Sequence, residues 1–320
     1  MHDGADSDYR FVVDEDSLDW RGRTDVEVHD LVDTLAELLE PLADGRQVVL
    51  MTHAYIMECW EGVAVADIAY TADRRVSRDS RVRLAKLLDK CRAIEPQDGD
   101  IPQQVRFHDV CKEPSWGVSH ALAQAAAGRA MAVLGVPIVD GPSGWTAFER
   151  VADQLQVELH LLTDPSQVQE FWRGVFSREP VSPEEFFVLA KRAFTRLLFA
   201  EDLNFARFRG NYAEVLPWVV QLLSALDDRF GAALAEHRGD HNRVMAEFSA
   251  LGIDISPESP QTHKNESAWN RRLVPYGDTR YRCDWHGKRL WNLDRVHFSR
   301  PLSEYQGRVL IGIFTDHLPT

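Results

Sequence analysis

The amino-acid sequence predicts an α+β fold: a mixed α/β N-terminal part (1–164), a helical middle (165–255) and a small antiparallel C-terminal sheet module (256–320). Three observations predict it. Short apolar runs alternate with helical spacing as far as Asp164-Pro165. Helical patterns alone then follow to Leu251. Beyond Ser256-Pro257-Glu258-Ser259-Pro260, three strand-like runs are separated by short turns.

Residues 1 to about 20 read as an acidic lead-in. Over 25–42, Val26, Val28, Leu31, Val32, Leu35, Leu38 and Leu39 recur at helical spacing, and Ala43-Asp44-Gly45 is a stop signal. Four consecutive apolar residues at 48–51 predict a buried strand. A helix is expected over 81–92, a loop over 96–102 and a strand over 105–110. The small residues of 115–134 predict one close-packed helix, Gly141-Pro142-Ser143-Gly144 a break, and the alternation of 156–162 a strand. The helices of the middle part are 166–176, 182–199, 212–233 and 241–251, with Ser182 as N-cap and Pro183 at the first position of the second. The final strands are 280–286, 294–298 and 308–314, an antiparallel meander.

At 320 residues the chain exceeds the usual size of one compact domain, and 44% hydrophobic with 10% aromatic residues suffices for real cores. A charged fraction of 27% is ordinary for a globular protein. No apolar stretch of about 18 residues exists, so no membrane span is expected. The acidic start, without an apolar run, predicts no signal peptide and a cytoplasmic protein. Cys59, Cys91, Cys111 and Cys283 form no CxxC pair, so reduced and mostly buried thiols are expected rather than a zinc finger.

The net charge of −14 excludes a chain that coats nucleic acid throughout. Its distribution is uneven: residues 256–320 hold ten Lys/Arg against seven Asp/Glu and four of the twelve histidines, while 1–255 hold 26 against 43. A basic, histidine-containing module attached to an acidic body is the outcome.

Alternation places Tyr281, Cys283 and Trp285 on one face of the first C-terminal strand and Arg282, Asp284 and His286 on the other. In the second strand Val296 and Phe298 share a face, and Arg295 and His297 share the opposite one. This set suits RNA cleavage without a metal or other cofactor. Attack by a 2′-OH needs a base, the leaving 5′-oxygen needs an acid, and the phosphorane needs cations. His286, His297 and His317 are the proton-transfer candidates, and Lys288 and Arg295 the charge-stabilising ones. The polar stretch 256–265 supplies Thr262, Lys264 and Asn265, which with Arg271 and Arg272 are the substrate-binding candidates.

Each residue has a plainer reading. Alternating basic and aromatic residues also describe a solvated sheet face, with Asp284, Asp294 and Asp316 as ion-pair partners, and 256–265 equally suits a loop joining domains. A metal site is the chemical rival, with Cys283, His286, His297, His317 and Asp316 as N, S and O donors, although no HExxH spacing is present. In the N-terminal part Thr52, His53, Glu58 and Glu61 follow a buried strand, the place where α/β folds bind ligands. No glycine-rich phosphate loop accompanies them, and Trp116-Gly117-Val118-Ser119-His120 lacks the GxSxG pattern, so core or scaffold is the better reading there.

The stretches Asp294-Arg295-Val296-His297-Phe298 and Gly307 to His317 resemble the terminal strands of RelE/HigB-type toxins, whose Arg–aliphatic–x–Phe strand precedes a last strand often ending in Asp-Tyr-His. The resemblance covers about 40 residues, and the ending here is Thr315-Asp316-His317. It implies a small α+β module that cuts messenger RNA, often on the ribosome, with Arg295 and His317 catalytic or RNA-binding. The family's members are free-standing, and His286, Lys288 and His297 lie outside its pattern. The richness in Ala, Arg, Asp and Val resembles that of actinobacterial proteins. The expectation is therefore a toxin-like endoribonuclease effector, restrained by its acidic body or a separate regulator, with homo-oligomerisation left open. Its alternative is a non-enzymatic sensor or adaptor.

Overall fold

The computed structural model describes residues 9–42, 46–71, 76–97, 101–107, 110–135, 143–290 and 293–319. The stop signal at 43–45, Gly141-Pro142 of the predicted break, and parts of the lead-in, of the loop at 96–102 and of the strand at 105–110 lie outside the described residues. The architecture is α+β, in two compact units, 1–171 and 172–320. Among the described residues no helix is long and apolar enough to cross a membrane.

The first unit holds strands β1 (Phe11–Val13), β2 (Val48–Met51), β3 (Glu58–Trp60), β4 (Val63–Ala64), β5 (Arg92–Ile94), β6 (Val105–Phe107), β7 (Val110–Lys112), β8 (Ala132–Leu134), β9 (Gly144–Arg150) and β10 (Gln156–Leu162). Its helices are α1 (Asp25–Leu39), α2 (Val65–Tyr70), α3 (Arg78–Leu88) and α4 (Trp116–Ala126). Eight strands form one sheet in the order β5-β2-β1-β8-β10-β9-β6-β7. The first five of these run parallel and the last three are antiparallel additions. Val118, Ala121 and Leu122 of α4 pack on Val12, Val49, Val133 and Leu159 of the sheet, as a buried parallel sheet requires. The supposed lead-in thus contributes β1, the middle strand of the parallel five, with Phe11 and Val12 fully buried. The single helix expected over 115–134 stops at Ala126, and Gly128, at φ 89°, turns the chain into buried strand β8.

The candidate groups after β2 have structural roles. Glu58 Oε1 accepts from Gly62 N at 2.8 Å, and Glu61 and Gly62, both at positive φ, form the turn of the β3–β4 hairpin. His53 Nε2 lies 3.3 Å from buried Glu15, whose two oxygens accept from Gly117 N at the start of α4 at 3.0 and 2.8 Å. Glycine is required at 117, since a Cβ there would lie 2.4 Å from Val13 O.

Helix α5 (Val168–Arg178) spans the boundary between the units. The second unit continues with α6 (Pro183–Ala193), β11 (Leu197–Phe199), α7 (Tyr212–Ala225), a π-helical turn Leu226–Phe230, α8 (Gly231–Glu236) and α9 (His241–Ala250). Then come β12 (Asp254–Pro257), α10 (Pro260–Lys264), α11 (Glu266–Asn270), the hairpin β13 (Leu273–Tyr276) and β14 (Thr279–Arg282), and β15 (Trp285–Leu290), β16 (Leu293–Phe298) and β17 (Val309–Thr315). Ser182 caps α6 in a full capping box, as its Ser-Pro-Glu-Glu start predicts.

The sheet order is β11-β17-β16-β15-β12. The expected meander β15–β16–β17 is its antiparallel centre, while β11 joins parallel at one edge and β12 antiparallel at the other. The division expected at 255 is therefore corrected. Residues 197–199, assigned to a helix over 182–199, are a strand of this very sheet. The sheet's apolar face is buried by helices of the middle part: Phe230 meets Trp285 and Phe298 at 5.2 and 5.0 Å between ring centroids, and Leu222 of α7 sits on Gly287. Phe187, Phe205 and Phe208 surround Phe314. Strands 256–320 alone would leave these rings in water, so the basic segment is not a free-standing module. By unit, the acidity belongs to 1–171, with 31 Asp/Glu against 16 Lys/Arg, and 172–320 is balanced at 19 against 20.

Candidate functional site

Two rows of side chains cross the second sheet in register. Ser256, His286 and His297 are successive neighbours on β12, β15 and β16, and Asp254, Lys288 and Arg295 form the parallel row two residues away. The alternation expected to put His286, and Arg295 with His297, on one face is therefore realised, whereas Lys288, expected in a turn just past His286, is a residue of β15 on that same face. The predicted strand 280–286 is instead two strands, β14 and β15, interrupted at Cys283-Asp284. Cys283 N bonds back to Arg272 O and Asp284 O accepts from Glu258 N, each at 2.8 Å, which turns the chain between the hairpin and the sheet.

The centre of the face is a residue the sequence did not single out, Glu258, in the stretch that follows β12. Its Oε1 lies 3.0 Å from Arg272 Nε, 3.2 Å from His297 Nδ1 and 3.4 Å from His286 Nδ1, and its Oε2 accepts from Arg272 Nη2 at 3.1 Å. All four side chains are buried. His286 Nε2 lies 3.3 Å from Ser256 Oγ. Burial opposes the charge on Glu258, but its contacts with His286, His297 and Arg272 outweigh it and hold the carboxyl well below the usual carboxylate range. Burial pushes His297 down to about 4 against the pull of Glu258, and it lowers His286 as well. Both imidazoles are therefore neutral at pH 7.

The outer row is more open. Lys288 Nζ lies 3.6 Å from Asp254 Oδ1, and Arg295 is half-buried across from it. His317 is exposed. Desolvation, then the positive charge of Arg295, lowers it, with smaller effects from Arg272 and His286, so it belongs to the same neighbourhood. The five residues expected to be catalytic are thus brought together, but unequally exposed: His286 and His297 form a buried row, Lys288 and Arg295 the half-buried row beside it, and His317 is exposed.

The expected substrate-binding set is not brought together. Thr262 is fully buried and bonds Ser259 Oγ at 3.0 Å within the cap of α10. Asn265 caps α11 through Ala268 N, and Arg272 is locked inside by Glu258, Ala268 O and Pro319 O. These three are structural because helix ends need acceptors and a buried carboxylate needs a cation. Lys264 and Arg271 are exposed.

Of the rival metal donors, Cys283 Sγ packs against Leu310 O and over Gly312, and its thiol is pushed up by burial. Among the described residues, the donors that do converge are Glu258, His286 and His297, each offering one atom, all within 4.8 Å of one another. The signal for Glu258 was present in the sequence as the one acid of the polar stretch 256–265, between Pro257 and Pro260; alternation could not find it, because it lies just past β12. No protein family, curated protein or solved structure matches the chain.

Proposed function

We propose that the unit 172–320 cleaves RNA on the face where Lys288 and Arg295, with His317 near them, lie beside the buried His286–His297 pair. The observation that supports this is the register, which sets an imidazole pair and a cation pair side by side on adjacent strands. Lys288 and Arg295 hold the scissile phosphate and stabilise the charge that develops on it. His317, exposed and lowered below its ordinary value, takes the proton of the attacking 2′-OH and returns it to the 5′-oxygen as that oxygen's bond to phosphorus breaks. The neutral His286 accepts from or donates to Ser256 and orients the inner row. The acidic unit 1–171 is the part that restrains cleavage or receives a trigger.

The test uses the full chain with free and ribosome-bound RNA, reading products by their ends. Fragments with 2′,3′-cyclic or 3′-phosphates are expected. Lys288→Ala and His317→Ala should each lower the rate by roughly tenfold or more with little change in melting, because an exposed histidine and an ion pair to a mostly exposed Asp254 contribute little to folding. Wild-type protein that leaves both RNAs intact, or variants with unchanged rate per folded molecule, would refute it.

A further inference from the structure

We infer that Glu258, His286 and His297 form a binding site for a divalent transition-metal ion of the zinc class. The inference concerns the inner row alone and is independent of the RNA reading, since it is tested without RNA.

The argument starts from polar groups whose needs are unmet. Glu258 Oε1, His286 Nδ1 and both ring nitrogens of His297 are buried and have no hydrogen-bond partner in proper geometry. Their separations of 3.2 and 3.4 Å are short enough for hydrogen bonds, yet the N–H directions miss the oxygen. Buried groups left in this way cost free energy, and a native core rarely keeps several together. An ion placed among the three lone pairs satisfies Glu258 Oε1, His286 Nδ1 and His297 Nδ1 at once, and leaves only His297 Nε2 of the four unmet.

The donor chemistry fits that ion. Two imidazole nitrogens and one carboxylate oxygen are ligands of zinc and its neighbours, and three protein ligands leave one position for water. A hard cation such as magnesium or calcium needs mostly oxygen donors and is disfavoured. The surroundings also match a ligand set. Ser256 Oγ sits against the far nitrogen of His286, the outer contact that fixes a ligating imidazole; Arg272 Nη2 holds Glu258 Oε2, and Arg272 Nε, 3.0 Å from Oε1, makes no hydrogen bond to it that would compete with the ion. The three ligands come from β15, β16 and the segment after β12, so the ion ties adjacent strands together. Arg272 is the opposing influence, because its positive charge lies beside the same carboxylate. The competing state is a metal-free core in which Glu258 is satisfied by Arg272 alone.

The experiment is titration of the chelator-stripped full chain with zinc by calorimetry, and with cobalt by visible absorption. One tightly bound ion per chain and tetrahedral cobalt bands are expected. Ser256→Ala should weaken binding by about 10–100-fold. Glu258→Gln and His297→Gln should abolish stoichiometric binding, whereas His317→Ala, outside the ligand set, should retain it. Where a ligand variant fails to fold, the ring-nitrogen resonances of His286 and His297 in the wild-type protein decide: zinc must shift both. Absence of stoichiometric binding, binding that survives Glu258→Gln or depends on His317, or unmoved His286 and His297 resonances would overturn the inference.

Discussion

Replacing Arg272 by Met should destabilise the second unit far more than removal of an ordinary arginine. The guanidinium is 2% exposed and the Glu258 side chain 3%. It touches both carboxylate oxygens and donates to Ala268 O at 2.7 Å and Pro319 O at 2.8 Å. Met fills most of the volume, so the loss is electrostatic: a buried carboxylate without its cation, plus two carbonyl acceptors without a donor. Breaking a buried pair from one side costs about 3–5 kcal/mol, against an exposed pair at about 0–1 kcal/mol. Since domain stabilities are about 5–15 kcal/mol, this is a large fraction of the total. Urea unfolding of chelator-stripped protein, followed by circular dichroism and fluorescence, gives the difference. The double variant Arg272→Met/Glu258→Gln removes the orphaned charge and should recover about half of the loss or more. A single-variant cost below about 1 kcal/mol, or strictly additive single costs, would refute the claim that the pair is buried and coupled.

Two further outcomes follow from close packing and from burial. A Cβ at Gly287 would lie 2.4 Å from Leu222 Cδ2, so Gly287→Ala should cost about 1–3 kcal/mol by overpacking and be partly rescued by Leu222→Ala; no rescue would place the strain elsewhere. In the first unit, burial pushes Asp14 up to about 6, against a hydrogen bond from Ser115 and with help from Asp16. A carboxyl raised in the folded state binds its proton more tightly than in the unfolded chain, so stability falls as pH rises from about 4 through 6, by up to about 3 kcal/mol and less to the extent that water reaches this partly exposed group. Asp14→Asn keeps the amide acceptor for Asp16 N but does not titrate, so the stability difference between variant and wild type should move in the variant's favour from pH 4.5 to 7; a pH-independent difference would contradict it.

The sequence by itself determined the long periodic elements and the faces they present. The helical spacing of 25–42, the Ser182 cap and the alternation of 294–298 are local properties, carried by side-chain periodicity and end chemistry, and each appears where it was expected. The short buried strands were decided by tertiary structure. Phe11–Val13, Ala132–Leu134 and Leu197–Phe199 are three residues each, too few to show a period, and they are strands because neighbouring strands supply their hydrogen bonds. The same holds for the site. Local alternation placed His286, Arg295 and His297 on one face, and the extension of β15 to Leu290 added Lys288 to it. Register brought Ser256 beside them, and the turn after β12 delivered Glu258 into their midst; Arg272 arrived there from the far side of α11. Where a buried charge finds its partner depends on chain segments meeting in space, and no periodicity within a strand encodes that meeting.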